Sequence, residues 1–192
     1  MKNAFSLMLL SIAAVVLAGL AIHPATAQSA APPPDRFVQD RFAIGFWNDP
    51  PIDDHADEAY RDIAAANFTM FVGGSAGGDP DTMAKQLALC EKYDLKAVLF
   101  CRGTAPEDLP LSPACWGYAL RDEPNAADFP ALRAQVDAVR QARPGTLAYI
   151  NLFPNYASEK QLGTPTYEEH VDRFVKEVGV DVLSMDHYPI FK

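Results

Sequence analysis

Six short apolar runs alternate with helical patterns, and this alternation restricts the fold more than any other feature of the chain. The runs are five or six residues long, and segments with helical spacing follow most of them. The predicted strands are residues 42–47, 68–72, 96–101, 116–120, 147–152 and 180–185, and the predicted helices are residues 55–66, 79–93, 126–143 and 166–178. Continuous apolar strands separated by helices indicate a parallel sheet covered by helices.

Two architectures fit this pattern, an open doubly wound sheet and a closed eight-stranded TIM-type (β/α)8 barrel. Polar or aromatic residues follow nearly every predicted strand, as in a barrel, whose functional groups come from many strand ends. An open dinucleotide fold instead has a GxGxxG turn after its first strand. Residues 73–78 are rich in glycine but lack that spacing and the lysine of a P-loop, so we interpret them as a rim loop. The sequence therefore predicts an α/β barrel.

The predicted barrel is incomplete, because only about six of the eight strand and helix units can be counted in residues 42–192. Barrels of this type typically have about 250 residues, so we expect a chain truncated after the sixth strand. An unclosed parallel sheet has two hydrophobic edges. We therefore expect the isolated chain to be poorly soluble or to self-associate, although the sequence does not define an oligomeric state.

The N-terminal residues have the pattern of a secretory signal peptide. Lys2 precedes an apolar stretch at residues 7–22, and Ala25-Thr26-Ala27 is a small-x-small cleavage site. The apolar stretch is shorter than the roughly 20 residues of a spanning helix, which favours cleavage over a membrane anchor. We expect a signal peptide at residues 1–27, a proline-rich linker and lead-in at residues 28–41, and a secreted or periplasmic protein without membrane contact after cleavage.

Charge and cysteine content exclude several classes of protein. The chain has a formal net charge of −9 and no basic run, so we expect no nucleic acid partner. Cys90, Cys101 and Cys115 form an odd set without CxxC spacing, which argues against a zinc knuckle and a disulfide-rich scaffold. One disulfide remains possible, and the sequence does not choose the pair. We predict no cofactor and no metal site.

The fourth predicted strand ends abruptly in two acids and a proline, at Asp122-Glu123-Pro124. Adjacent carboxylates are unfavourable inside a buried strand, so this run predicts that both acids lie at an open rim. Glu123 is the catalytic candidate. The alternative is that the acids belong to the start of the next helix, which Asn125 could cap. Adjacent strand residues point to opposite faces, so we do not expect Asp122 and Glu123 to form a catalytic pair.

Residues 117–124, with the sequence GYALRDEP, and Asp186-His187-Tyr188-Pro189 after the sixth strand resemble the retaining glycoside hydrolases of the large barrel clan. The resemblance covers about residues 42–191 and implies cleavage of O-glycosidic bonds in carbohydrate metabolism. It implies that Glu123 is the acid/base and that the nucleophile comes from a seventh strand, which this chain lacks. Asp122 departs from the family's usual asparagine, so its contact with the sugar is in doubt.

The rim residues that we expect to bind a carbohydrate substrate are Trp47, Asn48, Asp122, Asn155, Tyr156, Asp186, His187 and Tyr188. Aromatic rings stack on the apolar face of a pyranose, and the carboxamides offer hydrogen bonds.

Two other functions remain open from the sequence. One is a catalytically inactive carbohydrate-binding or structural fragment. The other is a metal-dependent barrel hydrolase or isomerase, in which His55, His187, Asp186 and Glu123 would be the ligands. His170 lies on an outer helix and is expected at the surface.

Overall fold

A computed structural model describes residues 36–190 of the chain. The predicted signal peptide and the proline-rich part of the linker therefore lie outside the described residues. The strands are β1 (Gly45–Trp47), β2 (Met70–Gly73), β3 (Lys96–Phe100), β4 (Cys115–Asp122), β5 (Leu147–Leu152) and β6 (Ser184–Met185). The α-helices are α1 (Ala56–Ala65), α2 (Pro80–Lys92), α3 (Phe129–Ala142), α4 (Glu159–Leu162) and α5 (Tyr167–Glu177), with short 3₁₀ helices at Pro106–Asp108 and Ala126–Asp128.

The six strands form one parallel sheet in the order β1-β2-β3-β4-β5-β6. The predicted parallel α/β arrangement is therefore confirmed. Among the six described strands only β5 has the predicted bounds, and the differences at β4 and β6 bear on the site. β4 continues to Asp122, because Asp122 pairs with Asn151 of β5, and β6 is limited to the two residues that pair with Asn151 and Leu152.

The sheet is curled into a half-barrel. Trp47 of β1 and Tyr149 of β5 have ring centroids 6.3 Å apart, although three strands lie between them in the sheet. In a flat sheet, strands four positions apart would be separated by about 19 Å. The aromatic contact across the concave side is therefore possible only because the strands bend around a common interior.

Each face of the sheet has its own apolar cluster. On the concave side, Val72, Val98, Trp116 and Ala119 are buried together, with Phe100 and Tyr149 packed against them. On the convex side, strand residues such as Phe71 and Ile150 pack against helix residues such as Leu87, Phe129 and Val136. Alternation along each strand sends successive side chains to the two clusters, which is why the strands are apolar throughout.

The lead-in at residues 36–41 covers the sheet at the amino ends of the strands. Phe37 packs edge-on against Trp116 with centroids 5.8 Å apart, and Asp40 accepts a hydrogen bond from Trp116 Nε1 at 3.0 Å. Arg36 forms an ion pair with Asp181, 2.9 Å apart, next to β6. This segment therefore closes the end of the half-barrel that lies opposite the polar strand ends.

The helix that follows β4 begins with a capping box at Asn125. Its side chain accepts a hydrogen bond from the N–H of Ala127, and the side chain of Asp128 accepts one from the N–H of Asn125. Capping is therefore carried out by Asn125 and Asp128, which leaves the carboxylates of Asp122 and Glu123 available at the rim.

One prediction about the core is wrong. His170 is fully buried, because it faces inward from α5 between Phe129 and Phe153, and a ring nitrogen, Nδ1, lies 2.9 Å from the carbonyl of Leu162. Cys90, Cys101 and Cys115 are buried free thiols. Burial raises the pKa of Cys101 to about 12 and that of Cys115 to about 11, so these residues are unreactive core side chains.

Candidate active site

The carboxyl ends of the strands bring polar and aromatic side chains together on the concave side of the sheet. Trp47 and Phe100 lie at the last positions of β1 and β3, Asp122 ends β4, and Asn151 precedes the last residue of β5. Asp186 comes directly after β6. Because the strands are parallel, these ends share one edge, and we refer to this edge with its loops as the mouth of the half-barrel.

Glu123 is the first residue after β4, and its backbone has the left-handed conformation, with φ of 47°. Its N–H donates to the carbonyl of Asn151 at 2.8 Å, which ties it to β5. The left-handed region is unfavourable for a residue with a side chain, so this position is held by its surroundings. The turn also ends the alternation of β4 before Glu123.

The strand alternation from which we expected Asp122 and Glu123 on opposite faces therefore does not extend to Glu123. Partial burial raises the pKa of Glu123 first, and the nearby charges of Asp122 and Asp186 raise it further. A hydrogen bond to Asp186 adds a smaller rise to the pKa of Glu123. We call Asp122, Glu123 and Asp186 the acid cluster. A carboxyl group with a raised pKa retains its proton to higher pH, as a general acid requires.

Asn151 connects two members of the acid cluster. Its Nδ2 donates to Asp122 Oδ1 at 3.1 Å and to Asp186 Oδ1 at 2.8 Å, and its side chain is buried. We did not predict this role from the sequence. A signal was present, because Asn151 is the polar residue in the otherwise apolar run of β5.

Tyr188 and His187 follow Asp186 in the chain but have different surroundings. The hydroxyl of Tyr188 donates to Asp186 Oδ2 at 3.1 Å, and this bond raises the pKa of Tyr188. The charge of Glu123 also contributes to this rise, which places Tyr188 beside the acid cluster. His187 is exposed, and no hydrogen bond from its side chain is found within residues 36–190.

The other predicted sugar-binding residues lie around the mouth and are exposed. Trp47 is 40% exposed and packs edge-on against Phe100 with centroids 5.4 Å apart. Asn48 follows it with φ of 73°. Asn155 and Tyr156 lie in the loop after β5, and Tyr156 is close enough to Tyr188 to affect the pKa of that residue. Tyr156 therefore lies near Tyr188, whereas Trp47 packs against Phe100 and Tyr149.

Arg102 is a mouth residue that the sequence analysis did not select. It follows β3 with φ of 47°, and its guanidinium lies 5.8 Å from the centre of the Phe100 ring. Gly74 permits this position, because a Cβ there would come within 2.9 Å of the guanidinium. No ion pair of Arg102 is found in the described part of the chain.

Asp49 anchors the glycine-rich loop at the opposite side of the mouth. Its carboxylate accepts hydrogen bonds from the N–H of Ser75 at 3.0 Å, from Ser75 Oγ at 2.5 Å and from the side chain of Gln86. Gln86 is fully buried. This network fixes the start of the loop at residues 73–78, in agreement with our interpretation of the loop as part of the rim.

The metal-dependent alternative requires histidines and carboxylates that lie close together. Within residues 36–190, no three His, Cys, Asp or Glu side chains are arranged to hold a metal ion. His55 is exposed at the start of α1. The histidines that the metal-dependent alternative requires are thus not gathered in one place.

A cavity of about 490 Å³ in the described residues does not coincide with the acid cluster. It lies on the convex side between α3 and the loop after β3, and its lining includes Leu109, Ala134 and Ala138. The candidate site is therefore the open mouth and not an enclosed pocket.

Comparison with known proteins adds no relative. No profile of a known protein family matches the chain, and no curated protein matches it significantly.

Between residues 36 and 190, no helix is both long enough and apolar enough to cross a membrane.

Proposed function

We propose that this protein is a glycoside hydrolase of the retaining barrel type, with Glu123 as the general acid/base. The observation that carries the proposal is the position of Glu123, whose carboxyl group lies at the mouth with a raised pKa, in contact with Asp186. Glycoside cleavage needs a protonated carboxyl group beside the leaving oxygen, followed by a carboxylate that activates water.

We also propose that the six strands are the first six of a closed eight-stranded TIM-type barrel. TIM barrels are filled by layers of four side chains that come from alternate strands. Trp47, Phe100 and Tyr149 come from β1, β3 and β5, and their rings contact one another around Trp47. They correspond to three members of an odd-strand layer, and a seventh strand would supply the fourth.

The second carboxylate of the mechanism must stand apart from the acid/base, because in retaining enzymes the nucleophile lies about 5–5.5 Å from it. Asp186 raises the pKa of Glu123 through its charge and a hydrogen bond, so it acts on Glu123 directly. We assign Asp186 to the control of the Glu123 proton, and the proposal expects the nucleophile from a further strand.

The remaining mouth residues would bind the sugar. Trp47 is 40% exposed, and Tyr156, which is 61% exposed, lies near Tyr188. Asp122 uses one oxygen to accept from Asn151, so only its other oxygen remains for a sugar hydroxyl. An ionised aspartate accepts and does not donate, which favours a contact with a hydroxyl hydrogen of the sugar.

The test compares the protein with its Glu123→Gln variant on two kinds of substrate. Loss of a general acid should reduce turnover of glycosides with poor leaving groups far more than turnover of activated aryl glycosides. Glu107→Gln, which changes an exposed glutamate outside the mouth, is the matched control. Equal loss on both kinds of substrate would remove Glu123 from the acid/base role.

The exposed aromatic residues at the mouth also favour a second candidate, a carbohydrate-binding protein without catalysis. Trp47, Tyr156 and Tyr188 are 40%, 61% and 45% exposed, and such rings bind sugars whether or not a bond is cleaved. A glycan panel separates the two functions. Binding that is weakened by Trp47→Ala, with no release of sugar, would support this candidate.

A further inference from the structure

The carboxamide of Asn151 lies between two strands that each carry a carboxylate. Its side chain is 4% exposed, and Nδ2 donates to Asp122 Oδ1 on β4 at 3.1 Å and to Asp186 Oδ1 after β6 at 2.8 Å. A carboxamide nitrogen has two N–H groups. Both are therefore used, one on each carboxylate of the acid cluster.

Two hydroxyl groups fix the orientation of the Asn151 carboxamide. Ser184 Oγ donates to Asn151 Oδ1 at 2.9 Å, and the hydroxyl of Tyr149 lies 2.8 Å from Ser184 Oγ. Because a serine hydroxyl has one proton, Tyr149 is the donor in the second bond. If the carboxamide were flipped, its oxygen would face two carboxylates, which cannot donate to it when ionised. The order of donation is therefore Tyr149 to Ser184, Ser184 to Asn151, and Asn151 to Asp122 and Asp186.

The charges of Asp122 and Asp186 both raise the pKa of Glu123, after the larger effect of its partial burial. Asp186 accepts from Asn151 at Oδ1 and from the Tyr188 hydroxyl at Oδ2, 3.1 Å away. Both of its oxygens are thus held in place by hydrogen bonds. The titratable groups around Glu123 are Asp122, Asp186 and Tyr188.

We propose that Asn151 is a positioning residue that holds the carboxylates of Asp122 and Asp186 next to Glu123, and so favours Glu123 as a general acid. This inference rests on the proposed function, because it concerns the neighbours of the proposed acid/base residue. Asn151 acts through the two aspartates and need not touch the substrate.

The test is a carbon-13 NMR titration of the protein labelled at its Glu carboxyl groups, with Glu123→Gln used to assign the signal of Glu123. In Asn151→Ala we expect the titration midpoint of Glu123 to fall, because the two carboxylates that raise its pKa are no longer held beside it. A loss of packing elsewhere in the protein would leave this midpoint unchanged.

Gln86→Ala is the matched control. Gln86 is also a buried carboxamide that donates to a carboxylate, but its partner is Asp49 and not a member of the acid cluster. The midpoint of Glu123 should stay unchanged in this variant. Ser184→Ala is the second test variant, because it removes the hydroxyl that orients Asn151 without emptying the site.

We expect Ser184→Ala to lower the midpoint of Glu123 as Asn151→Ala does but by less, and this variant decides the question if Asn151→Ala does not fold. An unchanged midpoint in either folded variant would overturn the role of Asn151. The titration needs no substrate. A protein that shows the shifts but cleaves no glycoside would contradict the proposed function alone, whereas an active enzyme without the shifts would contradict this inference alone.

Discussion

At the scale of single residues, left-handed backbone conformations are concentrated at the mouth. Asn48, Arg102 and Glu123 have φ of 73°, 47° and 47°, and each follows the carboxyl end of a strand. For residues with side chains, such conformations cost on the order of 1–3 kcal/mol each and are common at functional sites. The residue with the catalytic assignment is therefore also a point of local strain.

The raised pKa of Glu123 makes a prediction about stability. A carboxyl group whose pKa is higher in the folded state binds its proton more tightly there, so stability is lost as pH rises from the unfolded value through the folded value. The glutamine in Glu123→Gln cannot ionise, so the variant does not lose this stability at high pH. We expect the variant to melt on the order of 1–3 °C above the parent at pH 8 and at the same temperature at pH 4.

Calorimetry at both pH values checks this prediction, with Glu107→Gln as the surface control. A Glu123→Gln variant that is less stable than the parent at pH 8 would contradict it.

For the buried His170 we expect stability to be lost as pH falls, the opposite of the effect of Glu123. Burial lowers the pKa of His170, and its Nε2 has no partner in the described part of the chain. A histidine whose pKa is depressed on folding takes up its proton more readily in the unfolded state, so stability is lost as pH falls below the unfolded value of about 6.5.

His170→Asn retains a donor for the Leu162 carbonyl but cannot become charged. We expect the free energy of unfolding of this variant to depend less on pH between 6.5 and 4.5 than that of the parent, in urea titrations at several pH values. His55→Asn, at an exposed histidine, should leave the pH dependence as it is. Parallel curves for His170→Asn and the parent would show that His170 does not titrate on unfolding.

At the scale of helices and strands, the lead-in at residues 36–41 contributes to the stability of the fold although it has no regular secondary structure. Phe37 packs against Trp116 and joins the concave cluster, whereas its neighbour Val38 is 56% exposed. We expect Phe37→Ala to lower the free energy of unfolding by about 1–3 kcal/mol, less than for a fully buried phenylalanine. Urea unfolding measures this, and Val38→Ala should change it little. Equal effects of the two substitutions would mean that the lead-in does not cover the sheet.

The elements that the sequence predicted well are those defined by local patterns. The apolar run at residues 147–152 is β5 with the same bounds, and Asp79-Pro80 begins α2 as expected, with Asp79 accepting from the N–H of Thr82. Alternation, helical spacing and capping act over a few residues, so a single sequence reveals them.

The contacts that control the acid cluster could not be predicted in this way. Asn151 reaches Asp122 and Asp186 across sequence separations of 29 and 35 residues, and only the sheet register brings them together. β6 was expected at residues 180–185 but is shorter, because pairing with β5 starts at Ser184. The turn at Glu123 also breaks the alternation on which the expected faces of Asp122 and Glu123 depended.

At the scale of the whole molecule, β1 and β6 each have a strand neighbour on one side only among residues 36–190. Apolar side chains are exposed at both edges, with Ile44 47% and Met185 40% exposed. Unprotected edges of this kind promote association between sheets, and charged residues oppose it. We expect Ile44→Lys combined with Met185→Lys to shift the protein towards the monomer in sedimentation velocity experiments.

The control for this prediction is Val175→Lys, which changes an apolar residue on α5 that is 52% exposed. It adds a positive charge without touching either edge. If it reduces association as much as the edge substitutions do, net charge and not the strand edges controls self-association.

The concave interior has a tryptophan at each end, and the chain contains only these two. Trp47, 40% exposed, lies at the mouth, while Trp116, 6% exposed, lies beneath Phe37 at the closed end. The protein therefore carries two intrinsic fluorophores in different solvent environments. A sugar that stacks at the mouth would shield Trp47 and shift its emission to shorter wavelength, and release of the lead-in would hydrate Trp116 and shift its emission to longer wavelength. With Trp47→Phe and Trp116→Phe as spectral references, unlabelled protein can report events at the two ends of the half-barrel separately.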